Sequence, residues 1–154
     1  MNDLSKIIMS AIPLALAGCS VELQKTEYIS YYEEQCRTSV SRNGMVFSAM
    51  PLTADYETVK WGAPLDSGMR VVFWIEPYSG ASFDTAFLVD GNDTSALASF
   101  RQIESFELKT VDSFVLGFAE KHDKAKLIVK NVGNGIGNVE FKIKNCQNIR
   151  LARD

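Results

Sequence analysis

The second half of the chain alternates between short apolar segments and turns rich in Gly, Asn and Asp. Segments of this length that are rich in Val, Ile and Phe are typical of strands, and turns at this spacing are typical of antiparallel sheets. Strands are predicted at residues 45–50, 69–76, 83–89, 106–110, 113–119, 125–130 and 138–144. The expected fold class is therefore mostly β, an antiparallel β-sandwich or small barrel with one or two short helices, and an α+β fold is the alternative.

Two segments carry a helical pattern. Residues 22–35 place two large aromatic residues four apart, as on one face of a helix, although a strand from Tyr28 is the alternative. Residues 95–102 follow Asp93 and Thr94, either of which suits a helix N-cap, and they also have large apolar residues at helical spacing. Both segments are therefore predicted to be short helices.

The segment between the first two predicted strands, residues 51–68, is predicted to be a long polar loop because it contains two prolines and several turn residues. The strand that follows it, residues 69–76, is largely apolar on both faces. That composition is typical of a central strand. Pro77 is expected to end this strand because proline cannot donate to a sheet ladder.

The last two predicted strands can be paired in register. Side chains alternate between the two faces of a strand, so one face of each strand is apolar. The apolar series begins with Leu127 in the first strand and with Val139 in the second. Antiparallel pairing across the turn at 131–137 then brings Lys126 close to Lys142 on the opposite face. Like charges at that distance repel, so these lysines add nothing to the stability of the sheet and are candidates for a function.

Charge is distributed unevenly along the chain, which has a formal net charge of −3. Residues 19–120 carry seven Lys and Arg against fifteen Asp and Glu, whereas residues 121–154 carry eight against three. Five lysines form a predicted basic stripe: Lys124, Lys126, Lys130, Lys142 and Lys144. The stripe is a candidate contact for anionic lipid head groups, lipopolysaccharide or an acidic protein partner, with an ordinary solvated face as the alternative. The acidic total argues against binding of nucleic acid.

The chain begins with a segment that resembles the signal peptide of a bacterial lipoprotein. One lysine precedes an apolar core at residues 7–17, and the run Leu16-Ala17-Gly18-Cys19 resembles a lipobox. The core is too short for a permanent transmembrane helix. The resemblance covers about the first twenty residues, and it implies that residues 1–18 are removed and that Cys19 is lipidated. The alternative is a buried N-terminal element with an incidental cysteine.

A lipoprotein signal implies a lipid anchor in the cell envelope, and Ser20 after the cysteine favours the outer membrane, facing the periplasm. No Ser- or Gly-rich tether follows Cys19, so the single domain at residues 19–154 is expected to lie close to the membrane. In an oxidising periplasm Cys36 and Cys146 are expected to form a disulfide, with two buried thiols as the alternative. No cofactor or metal site is predicted, because the chain has one histidine and few cysteines.

Aromatic residues outside the predicted strands suggest either packing or binding. They are Tyr28, Tyr31, Tyr32, Tyr56 and Trp61. Large aromatic side chains in loops commonly close the open end of a sandwich. Alternatively, Tyr56 and Trp61 are candidate anchors for a protein partner, because Tyr and Trp dominate interface hot spots.

No motif predicts catalysis. His122 lies in a predicted exposed turn, and no Gly-x-Ser-x-Gly motif supports it as a general base, although a Ser-His-Asp arrangement is not excluded by geometry. The glycines at 133–137 lead into a strand rather than a helix, so they indicate a hairpin turn and not a phosphate loop. An enzyme is therefore not predicted.

The favoured function is that of a structural or accessory lipoprotein that docks other proteins in a secretion, conjugation, pilus or exclusion apparatus. The alternative is a periplasmic binding module for a ligand or a foreign enzyme, with a concave pocket or a protruding loop at 55–67. The expected partners are the membrane, through the lipid, and another envelope protein.

Overall fold

The structure, a computed structural model, describes residues 20–64, 68–103 and 110–153. The predicted signal peptide, Cys19 and most of the predicted strand at 106–110 lie outside these ranges. The described residues form ten strands and two helices, in this order: β1 (Val21–Leu23), α1 (Lys25–Cys36), β2 (Thr38–Arg42), β3 (Met45–Pro51), α2 (Ala54–Trp61), β4 (Met69–Glu76), β5 (Thr85–Asp90), β6 (Asp93–Ile103), β7 (Asp112–Phe118), β8 (Lys126–Val132), β9 (Gly137–Lys142) and β10 (Ile149–Leu151).

Eight strands form one antiparallel sheet in the order β2-β3-β4-β7-β6-β5-β8-β9. The sheet curls until its two edge strands approach each other. Thr38 Oγ1 on β2 donates to the carbonyl of Lys142 at 3.3 Å, and Arg42 Nη1 donates to the carbonyl of Asn138 at 2.5 Å. The prediction of a mostly β, antiparallel sandwich or small barrel is confirmed, because the sheet is a barrel-like sandwich that is nearly closed.

Most of the predicted strands are present. Those at 45–50, 69–76, 113–119, 125–130 and 138–144 correspond to β3, β4, β7, β8 and β9, and the one at 83–89 begins two residues later as β5. The last hairpin has the predicted register, with Lys126 opposite Lys142. The amide of Ile143 donates to the carbonyl of Ala125 at 2.9 Å, which extends this pairing by one step.

The barrel interior is one apolar core, and β4 contributes to it from its position between β3 and β7 in the sheet. Val71, Phe73 and Ile75 point into the barrel, whereas Val72 and Trp74 point outward beneath the helices. Burial on both faces explains why the β4 sequence lacks strand alternation, as predicted for a central strand. Each fully buried Phe, Leu, Ile or Val side chain stabilises the fold by about 1.5–3 kcal/mol.

A second layer packs between the two helices and the outer face of the sheet. Tyr28, Tyr32 and Tyr56 are buried there, with ring centroids 5.7 Å apart for the first two and 5.0 Å apart for the second two. The Tyr32 hydroxyl donates to the carbonyl of Pro51 at 2.7 Å. Burial raises the pKa of all three phenols. These tyrosines therefore belong to the core, and they cover the outside of the sheet instead of closing an end of the sandwich.

The predicted helix at 95–102 is wrong. These residues belong to β6, which pairs with β5 on one side and with β7 on the other. A β-bulge follows Leu97, so that Leu97 lies opposite Phe118 and Phe100 lies opposite Leu116. A bulge inserts one residue and changes the spacing of same-face residues from two to three. Two apolar residues on one face of a strand therefore produced a helical spacing in the sequence.

The predicted loop at 51–68 is wrong at Ala54–Trp61, which form α2, and its residues 65–67 lie outside the described ranges. This helix begins after Thr53, whose side chain accepts a hydrogen bond from the amide of Tyr56 at 3.3 Å. It ends at Gly62, which has a φ of 89°, in the left-handed region that favours glycine at helix C-termini. The other predicted helix, at 22–35, is confirmed as α1, although it starts at Lys25 and the residues before it form β1.

The chain start and the chain end of the described domain lie side by side. β1 pairs in parallel with β10, and the amide of Val21 donates to the carbonyl of Asn148 at 2.8 Å. The two cysteines that were predicted to pair, Cys36 at the end of α1 and Cys146 before β10, are joined by a disulfide. The C-terminal segment is thereby held against the helices.

Candidate anion-binding groove

A groove of about 580 Å³ opens at one end of the barrel. Its walls are β10, the start of α2, Pro64 and Gly68 before β4, and the two segments at 121–123 and 144–147. Pro51, Leu52, Met69 and Ile149 give it a partly apolar floor, and the disulfide at Cys146 forms part of one wall. We call this end of the barrel the cationic end, for the reason that follows.

Four exposed cations surround the opening and are called the cationic rim: Lys121, Lys144, Arg150 and Arg153. Lys144 Nζ donates to the carbonyl of Gln35 at 3.1 Å. None of the four forms an ion pair with another residue in the described part of the chain. Their charge is therefore directed at solvent and at whatever enters the groove.

Two carboxylates also line the groove, and they reduce the positive charge without cancelling it. Asp55 accepts a hydrogen bond from the amide of Leu151 at 2.9 Å, which fixes β10 against α2. Asp123 is exposed beside Lys121. Among the described lining residues, the four rim cations exceed these two carboxylates, so this part of the groove favours an anionic ligand.

A buried ion pair supports the groove from below. Arg70 on β4 donates through Nε and Nη2 to the two carboxylate oxygens of Glu57 on α2, with 2.7 Å between Nη2 and Oε2. Glu57 has no exposed surface, and Arg70 is almost completely buried. A bidentate pair of this kind fixes geometry as well as charge. Because Glu57 neutralises Arg70, we assign the excess charge of the groove to the cationic rim alone.

The structure brings four of the five lysines of the basic stripe to this end of the barrel. Lys144 lines the groove, and Lys124 directly follows the lining residue Asp123. Lys126 and Lys142 lie opposite each other at the same end of the barrel, and Lys126 also forms an ion pair with Glu140 at 3.5 Å. Lys130 instead lies opposite Thr85, toward the other end of the barrel. The stripe therefore continues into the groove through Lys144.

Sequence reasoning missed the other rim residues, Lys121, Arg150 and Arg153. The signal that could have found them was the excess of cations at residues 121–154, of which the stripe was only a part. What could not be read from the sequence is that β10 lies beside the helices and brings Arg150 and Arg153 to the lysines.

His122 is also at the cationic end, and it is not in an exposed turn as predicted. Its side chain is 7% exposed; Nε2 lies 2.7 Å from Ser95 Oγ, and Nδ1 lies 3.6 Å from a carboxylate oxygen of Asp90. The structure thus brings a Ser, a His and an Asp together. However, 3.6 Å is too long for a hydrogen bond, and Ser95 is buried and does not line the groove. We interpret the cluster as a link between β6 and the segment before β8.

The two predicted partner anchors do not form an exposed pair. Tyr56 is 2% exposed, its ring lies against Tyr32 and Trp61, and its hydroxyl donates to Glu33 Oε1 at 2.7 Å. That hydrogen bond adds to burial in raising the pKa of Tyr56. Trp61 is partly buried beside it. Tyr56 is therefore unavailable to a partner, and the packing alternative accounts for its position.

Within the described ranges, no three or more of the His, Cys, Asp and Glu side chains are grouped closely enough to hold a metal ion. Within the same ranges, no helix combines the length and the apolarity required to cross a bilayer. No protein-family model, no curated protein and no solved structure matches this chain.

Proposed function

We propose that this protein is a bacterial envelope lipoprotein that serves as an accessory docking component, anchored through Cys19 and oriented with its cationic end against the membrane. The observation that carries the proposal is the hydrogen bond from the amide of Val21 to the carbonyl of Asn148. This contact places the start of the domain beside the cationic groove, because Gln147 and Ile149 on either side of Asn148 line it.

The length of the connection supports this orientation. Consecutive Cα atoms are about 3.8 Å apart, so a lipid on Cys19 would be attached within about 8 Å of the Cα atom of Val21. Val21 is opposite Ile149 in the β1–β10 pair. The anchor therefore leaves the domain at the cationic end, and a tether this short keeps that end close to the bilayer.

Charge supports the same orientation. A Lys or Arg near an anionic membrane surface contributes about 1 kcal/mol of attraction, which decays over a Debye length of about 8 Å. The cationic rim and the neighbouring lysines of the stripe are all at the anchored end. The acyl chains would retain the protein, and the cations would orient it.

The opposite end of the barrel, which we call the far end, then faces away from the membrane. It contains the turns at 43–44, 77–80 and 133–136, and Tyr78 is 43% exposed there. A protein partner in the envelope could reach this end without displacing the membrane. The far end is therefore the surface that we assign to docking.

The proposal is tested by photo-crosslinking of the full-length protein in cells. A photoreactive phenylalanine analogue replaces Lys142 at the cationic end in one variant and Tyr78 at the far end in another. We expect lipid adducts from position 142 and an adduct with one larger envelope protein from position 78. Protein adducts from position 142 with none from position 78 would contradict the proposed orientation and docking surface.

Cys19→Ala is the control for the anchor. The variant is expected to leave the membrane fraction and to lose both kinds of adduct, whereas Cys36→Ala, which removes a cysteine but not the lipobox, is expected to stay membrane-bound. Continued membrane association of Cys19→Ala after washing without detergent would count against lipidation.

The second candidate function is a ligand-binding module of the envelope. It is favoured by one observation, the concave groove with its partly apolar floor and its excess of cations. The two candidates are compatible, because one end of the barrel can bind a ligand while the other docks a protein.

A further inference from the structure

We propose that the groove binds the phosphate of an anionic phospholipid in the same leaflet that holds the protein's own lipid anchor. This inference rests on the proposed function, since it requires the cationic end to face the membrane. It goes further by assigning a defined site and a defined chemical class of ligand. Without such a site, the cations would attract the membrane only as a diffuse charge.

The position of the groove selects the source of the ligand. The groove lies next to the first described residues. The amide of Val21 donates to the carbonyl of Asn148, and the amide of Ala152 donates to the carbonyl of Leu23 at 2.9 Å. One residue, Ser20, separates Val21 from the predicted lipidation site, Cys19. Phospholipid head groups would then be the most concentrated anions at the opening.

The chemistry of the rim suits a phosphate. Arg150 and Arg153 present guanidinium groups, which bind phosphate oxygens through paired N–H donors, and Lys121 and Lys144 add point charges. Four cations against Asp55 and Asp123 leave an excess of positive charge among the described lining residues. The Asp55 carboxylate already accepts a hydrogen bond from the amide of Leu151 through Oδ2, so this oxygen has a partner within the protein.

The shape of the groove suits the rest of the lipid head. Its floor is partly apolar, with Pro51, Leu52, Met69 and Ile149, and its volume of about 580 Å³ exceeds that of a phosphate ion. A phosphate at the rim would allow the glycerol and the first methylenes of the acyl chains to cover the apolar floor. A free phosphate would leave the floor exposed to water, so we expect it to bind more weakly.

The supports of the groove are rigid, which is what a binding site requires. The disulfide holds Cys146 against α1, and the Glu57–Arg70 pair holds α2 against β4. A site built on fixed elements binds with less loss of conformational entropy than a site on free loops. Both supports adjoin the cationic rim.

The test is a titration of the purified, lipidated full-length protein in mild detergent, followed by amide NMR of the groove residues. The probes are dihexanoyl phosphatidylglycerol, dihexanoyl phosphatidylcholine and inorganic phosphate. We expect saturable shifts with phosphatidylglycerol and at least tenfold weaker binding of the other two probes. Equal binding of inorganic phosphate would mean that the groove is a free-anion site and would overturn the assignment to a phospholipid.

Charge reversals distinguish a defined site from a diffuse field. Arg150→Glu is expected to weaken phosphatidylglycerol binding at least tenfold, and Arg101→Glu, a matched exposed arginine on β6 outside the groove, is expected to change it less than twofold. Lys142 lies at the cationic end but outside the groove, and we expect Lys142→Glu to weaken phosphatidylglycerol binding less than threefold. If Lys142→Glu weakens binding as much as Arg150→Glu does, the groove is not the site.

The failure of this inference can be told apart from the failure of the proposed function. If the crosslinks at positions 142 and 78 have the expected identities but phosphatidylglycerol causes no saturable shift, the orientation stands and the lipid site falls. A synthetic acidic peptide of ten residues serves as the competitor. If it binds the groove tighter than phosphatidylglycerol, the ligand is a protein segment and the proposal of a phospholipid is overturned.

Discussion

The cationic end and the far end of the barrel are held together by different kinds of interaction. At the cationic end the chain is fixed by a disulfide, by the buried Glu57–Arg70 pair and by the Ser95–His122 hydrogen bond. The far end is held by hydrogen bonds, such as that from the amide of Ser79 to the buried Asp112 carboxylate at 3.0 Å, and by a partly exposed ion pair between Arg37 and Glu76. The comparison teaches that the disulfide and the fully buried ion pair both lie at the groove, whereas the ion pair at the far end is partly exposed to solvent. Links of the first kind are expected where a site must keep its shape.

The largest expected loss of stability follows from removing one partner of the buried ion pair. Arg70→Met leaves the Glu57 carboxylate buried without its guanidinium, and we expect a loss of about 3–5 kcal/mol in the free energy of unfolding, measured by urea denaturation. Lys126→Met is the matched control at an exposed pair, and we expect it to change stability by less than about 1 kcal/mol. Equal losses in the two variants would contradict the difference that we draw between buried and exposed links.

Removal of the disulfide comes next. Replacing Cys36 and Cys146 together by serine should cost about 2–5 kcal/mol, because the bridge closes a long loop in the unfolded chain. Calorimetry with and without reductant is the measurement. The wild-type protein in reductant should lose about as much as the double variant, and an unchanged Tm in reductant would show that the bridge contributes nothing.

Alkaline pH should reduce the stability that the buried tyrosines beneath the helices give to the fold. Burial raises the pKa of Tyr28, Tyr32 and Tyr56 above the unfolded value of about 10, so the folded state binds these protons more tightly. Their contribution to the unfolding free energy is complete below pH 10 and falls as the pH rises beyond it. The measurement is the unfolding free energy between pH 8 and pH 11. Tyr56→Phe should flatten the decline, and Tyr78→Phe should leave it unchanged; an identical decline in all three proteins would refute this explanation.

The Ser95–His122 hydrogen bond should have a smaller effect. We expect Ser95→Ala to lower the unfolding free energy by about 1 kcal/mol, because the hydrogen bond to His122 is lost while the His122 imidazole remains almost completely buried. A second measurement, on the wild-type protein, distinguishes a structural hydrogen bond from a nucleophilic serine. A fluorophosphonate probe should leave Ser95 unlabelled, and labelling that disappears in His122→Ala would identify a reactive serine instead.

The smallest loss of stability is expected at an exposed aromatic residue on β6. Phe100 is 60% exposed and contacts Phe83, with ring centroids 5.7 Å apart. Phe100→Ser should cost less than about 1 kcal/mol, because little apolar surface is buried there. Thermal unfolding measures the change. A loss as large as that of Arg70→Met would contradict the difference that we draw between buried and exposed contacts.

Much of the sheet could be predicted from the sequence because strand alternation is a local pattern. The β8–β9 hairpin is the clearest case, since its alternation and its glycine-rich turn fix both the register and the buried face. β6 shows the limit of this reasoning. Its bulge gave Leu97 and Phe100 a helical spacing, and its pairing on both sides outweighed any local helical preference.

The groove could be predicted only in part because it joins residues that are distant in the sequence. The local excess of cations at 121–154 and the pairing of Lys126 with Lys142 follow from the sequence alone. The approach of β10 to α2 and the pairing of Glu57 with Arg70 depend on tertiary packing. Helix α2 could have been predicted, because Thr53 and Gly62 provide its start and stop signals.

The central claim is that the cationic end faces the membrane, and hydrogen exchange tests it most directly. The lipidated full-length protein is compared on vesicles of phosphatidylcholine alone and on vesicles that also contain phosphatidylglycerol. We predict that the anionic vesicles slow exchange at residues 119–125 and 144–153 and leave residues 77–84 and 131–137 unchanged. Slower exchange at the far end, with none at the cationic end, would contradict the account.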